Sequence, residues 1–464
     1  MTTTITTVNP FNGVPLQTYE AWSAQQIEAA VAAGHAAATA WGCQPLAARV
    51  EAVRRLAAEL RNQRDKFAAL ITAEMGKVLG EAAGEIEKSA VTALYYADNA
   101  EKILADEKVS IDGVDAWVGY EPIGLVLAVM PWNFPVWQVM RFAIPAIAAG
   151  NGVLLKHSPN VTGCALALEQ LFLDAGLPEH LVTAMVIAES EVPQTIDRLI
   201  ADDRIAAVTL TGSNRAGAAV GAAAGRASKK SVLELGGSDA FIVLDDADLP
   251  TAVAAALKAR YHNAGQSCVC AKRFIVSEAI AEAFTERFVE GARALVVGDP
   301  AVPATQMGPL ARGDLRDALD RQVRQSLEAG AVLLAGGKPV DGAGSFFYEA
   351  TVLGGVKPGM AAFDEETFGP LAAIAVAKDD ADAARLANAT PFGLSVSIWS
   401  ASTERALKVA RNVTSGAAFI NAVTASDARI PFGGTKKSGY GRELAAAGIR
   451  EFTNARTFWS VAQK

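Results

Sequence analysis

Apolar residues recur every three to four positions from Ala21 to about Lys108, as in SAQQIEAAVAAGHAAATAWG and LAARVEAVRRLAAELRNQRDKFAALITAEMG. That period predicts amphipathic helices. From Asp106 to Tyr120 the pattern switches to alternation, and Asp112-Gly113 falls where a hairpin turn belongs. The apolar run GLVLAVMPW that follows predicts a buried parallel strand. Short apolar runs (GNGVLLKHS, LVTAMVI, IAAVTLTGS, SVLELGG) then alternate with helical stretches as far as Gly237. This order predicts a parallel sheet covered by helices. A second α/β unit begins near Ser238 with DAFIVLDDADL and continues through KRFIVS, LAAIAVA, LSVSIWS and GAAFINA past Gly439. The tail REFTNARTFWSVAQK predicts a last strand.

A chain of 464 residues exceeds what one core ordinarily organises, so two or three domains are expected. The net charge of −8 argues against nucleic acid as a partner, because phosphate contacts need a basic surface. No apolar run approaches the roughly 20 residues of a bilayer span. The start, MTTTITTVNPFNG, has neither the basic nor the apolar region of a signal peptide. Cys43, Cys164, Cys268 and Cys270 are too scattered for a disulfide framework, which makes a reducing cytoplasm the expected compartment. In GAAVGAAAG, from Gly217, glycine returns every four residues, as in a helix packed tightly on a sheet. Flanking Arg215, Arg226, Lys229 and Lys230 oppose a membrane reading of that run.

The segment HNAGQSCVCAKR holds Cys268 and Cys270. A metal site needs about four ligands at loop spacings. There is no C-x2-C pair and the histidines are dispersed, so no metal is expected. A core cysteine would sit inside an apolar run. This one lies in a polar, turn-rich stretch between a helix and a strand, where a substrate can reach it. An ordinary thiol, with a pKa of about 8.5, is only about 3 % ionised at pH 7, so a nucleophilic cysteine needs a base or a cation. Glu234 is the candidate base. It ends the apolar strand VLELGG, where a charge is costly unless used or paired. A buried carboxylate held by the N–H groups of the adjacent glycines is the competing reading.

LELGGSD, GQSC, MPWNFP and EETFGP together resemble the aldehyde dehydrogenase superfamily, and the likeness runs from NPFNG to FGGTKKSGYGRE. Within it, MPWNFPVWQVMR, LLKHSPN, LELGGSD and SDARIPFGGTKKSG are similar to the bacterial succinate-semialdehyde dehydrogenases. The resemblance implies an α/β fold in three parts. These are a Rossmann-type cofactor domain (1–107 and 122–236), an α/β catalytic domain (237–445), and a small β oligomerisation element (108–121 and 446–464). It implies a homodimer or homotetramer that oxidises succinic semialdehyde with NAD or NADP, through a hemithioacetal and a thioester on Cys268. Glutaric semialdehyde or another short aldehyde is the alternative substrate; a catalytically retired binding protein and a cofactor-free thioesterase are the alternatives of other classes.

The same resemblance assigns residues. Asn133 and the backbone N–H of Cys268 would hold the oxyanion, and Glu234 would activate the hydrolytic water. Alone, Asn133 reads as a turn residue before Pro135. Trp132, Lys156, Ser158, Pro159, Gly212, Ser213, Gly217, Glu366 and Phe368 would meet the cofactor. There is no G-x-G-x-x-G; LTGSNRAG stands in its place. Pro159 occupies the position of a glutamate that bonds the 2′-hydroxyl in many members, so NADP is permitted. Arg141 would bind the substrate carboxylate, with Ser267 and Ser426 lining its pocket. His262 stands where some members have a second arginine, and Glu443 would be a supporting acid. Cys270 would be a redox partner for Cys268, or filler at the start of a strand.

Overall fold

The computed structural model describes residues 3–340 and 346–461. The predicted helical stretch resolves into Ala24–Gly42, Leu46–Asn62, Arg64–Met75 and Leu79–Ile103. Ser23 and Gln26 form a reciprocal cap that starts the first. Gly76, left-handed at φ 79, stops the third. Before them lies an antiparallel pair absent from the sequence reading, Thr4–Val8 with Pro15–Glu20. Its residues are mostly exposed, so no apolar alternation marks it; the β-branched threonines favour the extended chain.

The first large sheet has six strands in the order Gly439–Tyr440, Lys230–Glu234, Ile205–Thr211, Leu125–Met130, Gly152–His157, Val182–Met185. All pair in parallel except Gly439–Tyr440, which joins antiparallel from far along the chain. Leu125–Met130 is earliest in sequence, and later strands leave it on both sides. The carboxyl ends of Leu125–Met130 and Ile205–Thr211 therefore flank a topological switch point, where α/β sheets bind ligands. On this sheet, the Asn214–Arg226 helix lies so close that a Cβ at Gly217 would come within 2.4 Å of the Leu235 side chain.

The second sheet has seven strands in the order Val332–Ala335, Thr351–Gly354, Leu371–Ala377, Ala271–Ser277, Asp239–Val243, Ser395–Trp399, Ala417–Ile420. It has its own apolar core around Phe241, Phe274, Phe288 and Trp399. The third sheet is antiparallel: Glu107–Ile111, Val114–Pro122 and Thr453–Ser460. This is the alternating segment and the tail strand, and Gly113 at φ 74 closes the turn. Among the described residues no helix is long and apolar enough to cross a membrane.

Candidate active site

Two cavities meet at Cys268. One is a cleft of about 410 Å³ at the switch point, lined by residues at or just beyond the carboxyl ends of four strands of the first sheet. Among them are Trp132 and Asn133, Lys156 and Ser158, Gly212 and Ser213, and Glu234. Glu366, Phe368 and Cys268 close it from the other side. The second cavity, of about 290 Å³, is lined by Lys88, Gln138, Arg141, His262, Ser267, Cys268, Cys270, Ser426 and Phe432, among others. Cys268 and Gln138 belong to both linings. Pro159 and Gly217 do not line the cleft. Pro159 opens a single turn beside a separate small cavity, and Gly217 is used for helix–sheet packing.

The loop that presents Cys268 is held in an unusual conformation. Asn263, Ala264 and Gly265 are successively left-handed, at φ 53, 51 and 74. Such backbone persists only where surroundings over-determine it. Here Asn263 Nδ2 donates to Asn133 O (2.9 Å) and Gln266 O (3.1 Å), and its backbone N–H donates to Glu81 Oε2 (2.9 Å). Arg260, fully buried, donates to Gly265 O (2.8 Å), Ala271 O (3.0 Å) and Gly369 O (2.5 Å). Asn133 Nδ2 donates to Gln266 O (3.1 Å), which fixes its amide beside the nucleophile's loop.

The Trp137–Ala148 helix carries Gln138 and Arg141 and is buried on every side. Its first N–H groups, on Val136 and Trp137, donate to Glu85 Oε1 (2.8 and 2.9 Å), and Glu85 pairs with buried Lys77. Arg141 is itself paired. Its Nε meets the Glu443 carboxylate, and its guanidinium lies 4.5 Å over the Phe432 ring.

Glu234 is buried, and among the described residues neither of its carboxylate oxygens has a hydrogen-bond partner. The Gly237 N–H goes to Glu366 Oε1 instead (2.9 Å), so the adjacent glycines do not hold it. Burial, reinforced by Glu443, pushes the Glu234 carboxyl well above the ordinary range. Burial also pushes the Cys268 thiol up to about 12, against the pull of Arg141 and Lys272. His262, which stands where some members have an arginine, is driven by burial down to about 4 and is neutral at pH 7. The Lys156 ammonium is lowered by burial to about 8.

Trp132 and Phe368 meet edge to face, ring centroids 5.7 Å apart, at the mouth of the cleft. Ser213 caps the Asn214–Arg226 helix, accepting the Ala216 N–H (3.3 Å). Cys270 is buried, with Sγ 3.8 Å from His262 O, and all four cysteines are free. Among the described residues no group of three or more His, Cys, Asp or Glu gathers as a metal site would.

The family model described as "Aldehyde dehydrogenase family" matches residues 1–458. The chain belongs to the aldehyde dehydrogenase family. It is 49% identical over 452 residues to the NAD(P)+ succinate semialdehyde dehydrogenase of Escherichia coli strain K12, covering 97% of each chain. It is 46% identical to a probable NADP+ succinate-semialdehyde dehydrogenase of Synechocystis, covering 98% of this chain and 99% of that one. A crystal structure of succinic semialdehyde dehydrogenase from Streptococcus pyogenes with NADP+ superposes at a TM-score of 0.95 and 35% identity, covering 99% and 100%.

Two residues of this aldehyde dehydrogenase's site were missed in the sequence reading. Lys272, fully buried, donates to the carbonyls of Ser267 (3.0 Å), Cys268 (2.8 Å) and Cys270 (3.4 Å), and so staples the nucleophile's turn. Its clue was the pair of cations, Lys272 and Arg273, near the start of the strand AKRFIVS, where burial is expected. Lys88, in the middle of the Leu79–Ile103 helix, reaches into the second cavity and donates to Ser426 Oγ (2.6 Å). In sequence it is one more polar position on an amphipathic helix.

Proposed function

We propose that this aldehyde dehydrogenase oxidises succinic semialdehyde to succinate, with NAD or NADP as the acceptor. The observation that carries the reading is the pair of cavities sharing Cys268. One has cationic side chains for a carboxylate, the other the fittings of a dinucleotide cleft. The relatives' names point to the same substrate.

The cleft suits a nicotinamide dinucleotide. It opens on the N-terminus of the Asn214–Arg226 helix, which favours an anion, and Lys156 adds a positive charge. Gly236 leaves room that a side chain would take, since a Cβ there would stand 2.5 Å from Glu366 Oε2. On the Lys156 side the cleft is lined by Lys156 and Ser158, with no acid there to repel a 2′-phosphate, so NADP is permitted as well as NAD. When bound, the nicotinamide supplies a hydride acceptor, which carries the substrate carbon from the hemithioacetal to the thioester level.

The chain's own groups do the rest. Cys268, its thiol proton released to water, attacks the aldehyde carbon through Sγ, and the C=O electron pair moves onto oxygen. The oxyanion takes hydrogen bonds from the Cys268 backbone N–H and from Asn133, whose Nδ2 spends one of its two protons on Gln266 O. Donors fixed in advance at a developing charge supply a large share of catalysis. Glu234 then takes a proton from water, which hydrolyses the thioester. Burial raises its pKa, so its ionised form is a stronger base than an exposed carboxylate. Arg141, with Ser267 beside it, orients the substrate carboxylate.

We also place the enzyme in the cytoplasm as a homodimer or homotetramer. The third sheet supports the oligomer: among the described residues its edge strand Glu107–Ile111 is unpaired on one side, and Trp459 on the opposite edge strand is 58% exposed. The deciding assay follows reduced-cofactor absorbance with succinic semialdehyde, glutaric semialdehyde and butanal, each with NAD and with NADP. We expect kcat/KM for succinic semialdehyde to exceed that for butanal by about tenfold or more, one charge-assisted hydrogen bond's worth. Equal turnover of all three would refute the substrate assignment.

A further inference from the structure

Three basic side chains and His262 line the cavity on the substrate side of Cys268: Lys88, Arg141 and Lys258. Their charges are not equally available. Arg141 is matched by Glu443 and stacked on Phe432. His262 is neutral at pH 7. Lys258 lies exposed on the rim, where water screens it. Lys88 differs from all of these. It is partly buried, and its Nζ touches only neutral partners: Ser426 Oγ at 2.6 Å and the Trp137 ring, 4.4 Å from the centroid.

Among the described residues no carboxylate pairs with Lys88. The nearby acids are already engaged. Glu85, one turn earlier on the same helix, holds Lys77 and the N–H groups of Val136 and Trp137. Asp427 is bound by Arg429. An ammonium has three donors and Ser426 takes one, so two remain for a ligand. A buried cation without a counter-ion is costly, and an anionic substrate would supply the missing charge.

We propose that Lys88 is the principal anchor for the carboxylate of a short oxo-acid substrate, with Ser426 and Trp137 holding its ammonium in place and Arg141 in a supporting role. This rests on the semialdehyde reading above and names the residue that makes the site select a charged aldehyde. It also accounts for selectivity where His262 supplies no charge. Lys88 faces Arg141, Cys268 and Asp427 across the cavity, and Glu85 on its own helix. Burial, with Arg141 second, lowers its ammonium to about 8. Below that pH it is charged; above it, the anchor is lost.

The test is the ratio of kcat/KM for succinic semialdehyde to that for butanal, in the wild type, Lys88→Met and Lys88→Arg. The ratio cancels the ionisation of Cys268, which both aldehydes share. In Lys88→Met we expect the ratio to fall by about tenfold or more, chiefly through KM of the semialdehyde, with Lys88→Arg restoring part of it. In the wild type the ratio should fall as pH rises through about 8. A Lys88→Met ratio within twofold of wild type overturns the proposal. So does a wild-type ratio that stays flat across that pH range, a measurement that needs no variant to fold. If the wild type shows no preference for the semialdehyde at pH 7, the substrate reading itself fails, and the anchor with it.

Discussion

Cys268 in the cofactor-free enzyme should be a slow nucleophile, and raising the pH should reveal it. Burial pushes its thiol to about 12; Arg141 and Lys272 hold it down, while Glu366 and Glu234 push it further up. At pH 7 such a thiol is ionised to about 10⁻⁵, roughly 3000-fold less than an ordinary cysteine. The thiolate that does form is more basic and therefore more nucleophilic, by about 40-fold over that interval. The net expectation is alkylation roughly 80-fold slower than that of free cysteine. The assay is loss of activity with iodoacetamide, without cofactor, from about pH 6.5 to pH 9.5. Exposed Cys43 will react too, but following activity isolates Cys268. The logarithm of the rate should climb with a slope near one per pH unit and not level off. A plateau below about pH 9, or a rate at pH 7 equal to that of free cysteine, would show that burial does not control this thiol.

Two further outcomes follow from the geometry. Glu234→Gln removes the base for hydrolysis but not the nucleophile, so a first-turnover burst of reduced cofactor should survive while steady-state turnover falls about 10²- to 10⁴-fold. Stopped-flow absorbance separates the two, and a burst that disappears in step with turnover would mean Glu234 acts earlier. Gly265→Ala puts a side chain on a residue at φ 74 and sets its Cβ 2.3 Å from both Arg260 Nη2 and Gly369 O. The left-handed backbone alone costs about 1–3 kcal/mol, so the urea midpoint should drop; an unchanged midpoint would contradict the described loop.

The large features of this fold were written in the hydrophobic pattern because they are periodic. The helices from Ala24 onward and the parallel runs each bury one face or two, and burial leaves its period in the sequence; the exposed strand Glu107–Ile111 was marked instead by the Asp112-Gly113 turn that follows it. The Thr4–Val8 pair buries little and left no such trace. Among site residues, Cys268, Glu234 and Arg141 stood out because each is polar where its surroundings are apolar or turn-rich. Gly217 was legible as a helix-packing glycine and packs on Leu235, while Pro159, placed by resemblance, lies beside a separate small cavity. Lys88 could not be found this way. Its meaning depends on Ser426 and Trp137, which only the folded chain brings to it.

The short strand Gly439–Tyr440 closes the edge of the sheet that builds the dinucleotide cleft, and Glu443, just beyond it, neutralises Arg141 deep inside. Every other strand of that sheet has been made by residue 234. During synthesis, then, some two hundred residues of a second core must emerge before the first is complete. Until they do, the nascent chain carries an open β edge and a guanidinium without its partner. The residues that line the cleft run from Val129 to Phe368, and the strand that completes its sheet comes later still, so a half-made chain lacks part of the cleft.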